Sequence, residues 1–82
     1  MTETEIYSTL TALFRELFAD DRLVIQPTTS AKDIDDWDSF NHLNLMVGAQ
    51  DRFGIKFQTR EIDGLVNVAD MVALIKRKLD TR

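Results

Sequence analysis

The chain has 82 residues, 44% hydrophobic and 29% charged, with 14 acids against 10 Lys and Arg, a net charge of -4 and no cysteine. A chain of this size buries only about 60% of its unfolded surface, disulfides are excluded, and a lone His42 without thiols offers no donor set for structural zinc. The balance excludes the basic surface that phosphate neutralisation needs and an enzyme with a walled, water-excluding pocket, and favours a small binding, carrier or interaction module built from local helices.

Thr2 or Thr4 can cap a first helix, followed by Glu3 and Glu5 where acids suit the helix dipole. Ile6, Leu10, Leu13, Phe14 and Leu17 recur at helical spacing and predict a helix over 3–19, ended by Asp20-Asp21. Residues 20–38 hold the only proline, Pro27, beside Thr28, Thr29 and Ser30, with Leu23, Val24, Ile25, Ile34 and Trp37 scattered among them. This is a long loop, and its apolar residues predict that it is pinned across the helices. Asp38-Ser39 opens a second helix over 39–53, with Gly54 as its stop.

Ile55-Lys56-Phe57 is too short to support a sheet, and Thr59 stands where it could cap a short helix over 60–65. Asn67 caps a last helix over 68–79, where Val68, Met71, Val72, Ile75 and Leu79 form one stripe. The fold class is therefore all-α: a single domain, 1–82, of three main helices and a short third one. The longest apolar run, Met71-Val72-Ala73-Leu74-Ile75, falls far short of the roughly 20 residues of a membrane span. No charged-then-apolar leader is visible, so a cytoplasmic monomer is expected, with no membrane insertion and no nucleic acid partner. Lys76-Arg77-Lys78 and Arg82 complement the dipole of the last helix.

The second helix is unusual. Leu45, Met46, Ala49 and Phe53 make one arc, and Phe40, Leu43 and Val47 extend it past half the circumference. Either the helix is central, or part of that surface meets a partner; spacing leaves both open. Asp38 and Ser39 can each supply an N-cap oxygen, and a helix N-terminus also stabilises a phosphate group. Ser39 lacks the glycines of a nucleophile elbow, and the only histidine lies on the same helix, so a hydrolase is disfavoured. An EF-hand register from Asp33 fails, with Asp38 at its sixth position and Asn44 at its twelfth, so Asp33, Asp35, Asp36 and Asp38 read as a solvated acidic loop. His42 reads as a packed or locally hydrogen-bonded residue.

The stretch Asp36-Trp37-Asp38-Ser39-Phe40-Asn41-His42-Leu43-Asn44-Leu45 resembles the phosphopantetheine attachment site of acyl carrier proteins. That family has an Asp-Ser-Leu motif at this place; here it reads Asp38-Ser39-Phe40. Phe53-Gly54-Ile55-Lys56-Phe57 and Asn67-Val68-Ala69-Asp70 are similar to later family segments, so the resemblance spans nearly the whole chain. It implies a four-helix bundle of acyl carrier type and a non-catalytic carrier. It also implies 4'-phosphopantetheine, placed on Ser39 from coenzyme A by a phosphopantetheinyl transferase. The terminal thiol would hold an acyl or aminoacyl cargo as a thioester, exchanged with loading ligases or synthases and with acyltransferases. Asp38, Phe40, Leu43, Asn44 and Val47 match partner-facing positions, and no catalytic or metal-binding residue is implied.

The chain departs from the pattern of general fatty-acid carriers, whose second helix is strongly acidic. Between Ser39 and Phe53 only Asp51 and Arg52 are charged, and Asn44 and Gln50 stand where acids are expected. Docking is then expected to depend on the apolar surface more than on salt. This points to a free-standing bacterial carrier of a specialised lipid, polyketide or related pathway. The alternative is a helical docking module of the same fold without the arm.

Overall fold

The computed structural model describes residues 1–81 as four helices in the order α1 (Glu3–Leu17), α2 (Ser39–Phe53), α3 (Thr59–Asp63) and α4 (Val68–Asp80). Thr2 caps α1 through a reciprocal box: its hydroxyl accepts the Glu5 N–H, and the Glu5 carboxylate accepts the Thr2 N–H. The helix ends at Leu17, two residues before the expected boundary. Ala19 adopts the left-handed conformation at φ 53°, and the Asp20 N–H reaches back to the Arg15 carbonyl (3.0 Å). The chain therefore turns out of the helix before the Asp20-Asp21 pair is reached.

Gly54 closes α2 in the left-handed region, φ 65°, and donates to the Gln50 carbonyl. The short helix α3 also departs from expectation. Gln58, not Thr59, is its N-cap residue, because the Glu61 carboxylate reaches back to the Gln58 N–H (2.8 Å) and draws the start one residue earlier. The helix stops at Asp63, before Gly64. Asn67 caps α4 as expected, accepting from the Asp70 N–H (2.9 Å).

The core is one cluster. Ile6, Leu10, Leu13 and Phe14 of α1 meet Leu45, Met46, Ala49 and Phe53 of α2 and Val68, Met71, Val72 and Ile75 of α4. Where α1 passes α2, a Cβ on Gly48 would lie 2.6 Å from Leu13 Cδ1, so the helices approach closely there. Ile55-Lys56-Phe57 forms no strand.

The loop between α1 and α2 is pinned, as its apolar residues predict. Ile25 and Trp37 are buried in the core, and Arg15 Nε–H donates to the Leu23 carbonyl (2.7 Å). Its backbone also completes α4: the first N–H groups of that helix, on Val68 and Ala69, donate to the carbonyls of Thr29 and Pro27 (both 2.9 Å). These donors have no partner inside their own helix, so the loop serves as a second cap. Among the described residues, no helix is long and apolar enough to cross a membrane.

Candidate functional site

The site is built at the head of α2. Asp38 stands in extended backbone, and its carboxylate accepts the Asn41 N–H (2.8 Å), so Asp38 is the cap. Ser39 is the first helical residue and is exposed. With Asp38 capping, the Ser39 hydroxyl has no hydrogen-bonding role among the described residues. It is a free nucleophilic or esterifiable group beside the positive end of a helix dipole.

The two apolar arcs of α2 separate cleanly. Leu45, Met46, Ala49 and Phe53 are buried, whereas Phe40 is 72% exposed, Leu43 52% and Val47 49%. Central burial of the whole helix is thereby excluded. Asn44 is half-buried, with its amide donating to Asn41 Oδ1 (3.3 Å). Two polar residues of α2 are turned to the protein itself. Gln50 Oε1 accepts the Phe57 N–H (2.8 Å), and Arg52 pairs with Glu16 of α1.

His42 bridges three segments. Trp37 Nε1–H donates to His42 Nδ1 (3.0 Å), which leaves the ring proton on Nε2, and Nε2–H donates to the Ile62 carbonyl of α3 (3.0 Å). The two rings stack at 6.0 Å, and the indole meets Phe14 edge-on at 5.3 Å. The sequence marks His42 as packed or locally hydrogen-bonded; the Trp37 bond is local, but the link to α3 joins residues 20 apart and leaves no local signature.

Between α2 and α3 lies a cleft of about 620 Å³. Ser39, His42 and Leu43 form one wall, with Ile62, Leu65 and Val66 opposite. The residues after α3 carry no signal of this cleft in the sequence; the fold brings Leu65 and Val66 to it, with Val66 70% exposed.

Comparison with known proteins identifies the arrangement. No protein-family model matches the chain. It is 32% identical over 74 residues to an acyl carrier protein of Myxococcus xanthus, spanning 90% of this chain and 94% of that one. It is equally identical to an acyl carrier protein of Micrococcus luteus, over 90% of this chain and 91% of that one. The chain belongs to the acyl carrier protein family.

The fold agrees: the solution NMR structure of a holo acyl carrier protein from Geobacter metallireducens superposes with a TM-score of 0.85 and 43% identity, covering 92% of this chain and 86% of that one. A meromycolate extension acyl carrier protein of Mycolicibacterium smegmatis is 29% identical over 93% of this chain and 77% of its own length. The function is accordingly that of a non-catalytic acyl carrier.

Proposed function

We propose that Ser39 is the attachment point of a 4'-phosphopantetheine arm. The observation that carries this reading is the free, exposed Ser39 hydroxyl at the head of α2, with Asp38 supplying the cap in its place. The residues fit the group. A phosphodiester on Ser39 lies beside the helix N-terminus, and the adjoining cleft has room for an arm. In the attachment step the Ser39 oxygen forms a bond to the arm's phosphorus as the pyrophosphate link of coenzyme A breaks. Adenosine 3',5'-bisphosphate leaves, and the hydroxyl proton passes to the transferase or solvent. The bound arm supplies the thiol on which an acyl or aminoacyl cargo is held, chemistry that a chain without cysteine lacks.

Asp38, Phe40, Leu43, Asn44 and Val47 form the partner surface, used by the phosphopantetheinyl transferase, by an acyl-loading ligase or synthase and by acyltransferases. Phe40, Leu43 and Val47 are the apolar anchors of that surface. The whole of 1–82 acts as one carrier domain, monomeric and cytoplasmic. A specialised lipid, polyketide or related pathway is favoured over general fatty-acid synthesis, because α2 between Ser39 and Phe53 has only Asp51 and Arg52 as charges, one of each sign. The likeness to meromycolate extension carriers agrees with a lipid pathway of that kind.

Incubation with coenzyme A and a promiscuous transferase tests this. The wild-type chain gains the mass of one phosphopantetheine; Ser39→Ala gains none and keeps its helical circular dichroism; Leu43→Asp is modified more slowly. A wild-type chain left unmodified by several transferases would make it a docking module without an arm.

A further inference from the structure

The helix α3 has five residues and buries none of them fully. A helix of this length is unstable alone, so it stays in place only through its tethers. On the α4 side, Glu61 pairs with Lys78 (2.8 Å) and stands 3.8 Å from Arg77. On the core side, Ile62 and Leu65 are half-buried. On the side that faces Ser39, the polar tether is the His42 bond to the Ile62 carbonyl.

We propose that His42 is a positioning residue that holds α3 closed against α2 and so keeps cargo in the surface cleft beside Ser39. Its ring is itself held. Trp37 fixes Nδ1 from one side, and Trp37 is buried and packed on Phe14 of the core. The run Phe14–Trp37–His42–Ile62 thus extends from the centre of the protein across the cleft floor to α3. An apolar group moving inward between α2 and α3 must part this run, stripping the indole N–H of its acceptor and leaving the Ile62 carbonyl only the longer bond from the Leu65 N–H (3.4 Å). Cargo that stays outside it, in the cleft lined by Leu43 and Val66, disturbs neither bond. The effect on cargo rests on the attachment proposed for Ser39; the effect on α3 does not.

Amide exchange in the protein without its arm tests the tether. The Ile62, Gly64 and Leu65 N–H groups, bonded within the turn of α3, exchange about tenfold faster in His42→Leu, the loss expected for one hydrogen bond. His42→Gln, whose amide can accept from Trp37 and donate to Ile62, restores the wild-type rate. Trp37→Phe, which keeps the ring on Phe14 and removes the indole donor, moves exchange in the same direction as His42→Leu. Amides in the middle of α1 and α4 are unchanged in all three.

With acetyl and octanoyl cargo loaded in turn, hydroxylamine releases both equally fast from wild type and His42→Gln, and releases octanoyl several-fold more slowly from His42→Leu. Unchanged α3 exchange in both His42→Leu and Trp37→Phe overturns the proposal, as does octanoyl protection in wild type equal to that in His42→Leu. A chain that accepts no arm shows itself by its mass and refutes the Ser39 attachment alone.

Discussion

Asp38 and Ser39 divide two roles that adjacent oxygens could have shared. Both stand where a capping oxygen is useful, so side-chain chemistry alone leaves the cap ambiguous. The backbone decides it, because Asp38 is extended and Ser39 is already helical. Asp38→Ala is therefore expected to lower stability by about 1 kcal/mol in urea unfolding, the usual value of a cap, and Ser39→Ala to be close to neutral. Equal losses in the two variants would mean that the cap is shared. Glu61 carries a second consequence. The Lys78 hydrogen bond first, and then the Gln58 N–H, hold its carboxyl below the usual carboxylate range. Its contribution to stability is thus complete above the unfolded carboxylate pKa and is lost as pH falls through the lower folded value. Thermal unfolding followed from neutral pH into that acid range should show a smaller acid-induced loss for Glu61→Gln than for wild type. Parallel profiles would contradict the assignment.

The elements were legible to different degrees, for physical reasons. The helices α1, α2 and α4 each bury an apolar stripe, and a stripe is written in the spacing of residues such as Ile6, Leu10 and Leu13 or Val68, Met71 and Ile75. The helix α3 has no buried stripe, so its limits depended on which residue captured the cap, and the reach of Glu61 to Gln58 moved them. The end of α1 depends on Ala19 entering a conformation that alanine disfavours. Ala19→Gly should therefore raise stability by about 0.5–1 kcal/mol, the relief of a left-handed alanine less the added freedom of the unfolded chain. A loss measured by urea unfolding would show that the turn is not where the strain lies. The backbone caps that Pro27 and Thr29 give α4 had no side-chain signature and could not be read from composition.

At the scale of the molecule, the net charge of -4 is a poor guide to recognition. Ion pairs within the fold occupy Glu16 with Arg52, Glu3 with Lys76, and Glu61 with Lys78. The surface beside Ser39 is instead marked by the exposed Phe40, Leu43 and Val47. Their arc was readable from spacing, but its separation from the core arc was not, because that depends on where α1 and α4 pack. Docking to a transferase should accordingly weaken little as salt is raised and strongly on Leu43→Asp, read as KM for the carrier. A steep salt dependence with an unaffected Leu43→Asp would place recognition on charge.

The central claim, attachment at Ser39, is tested most directly by peptide-level mass spectrometry after incubation with coenzyme A and a transferase. The account predicts one added phosphopantetheine, localised by fragmentation to Ser39; a chain that stays unmodified, or that carries the group on another hydroxyl, would contradict it.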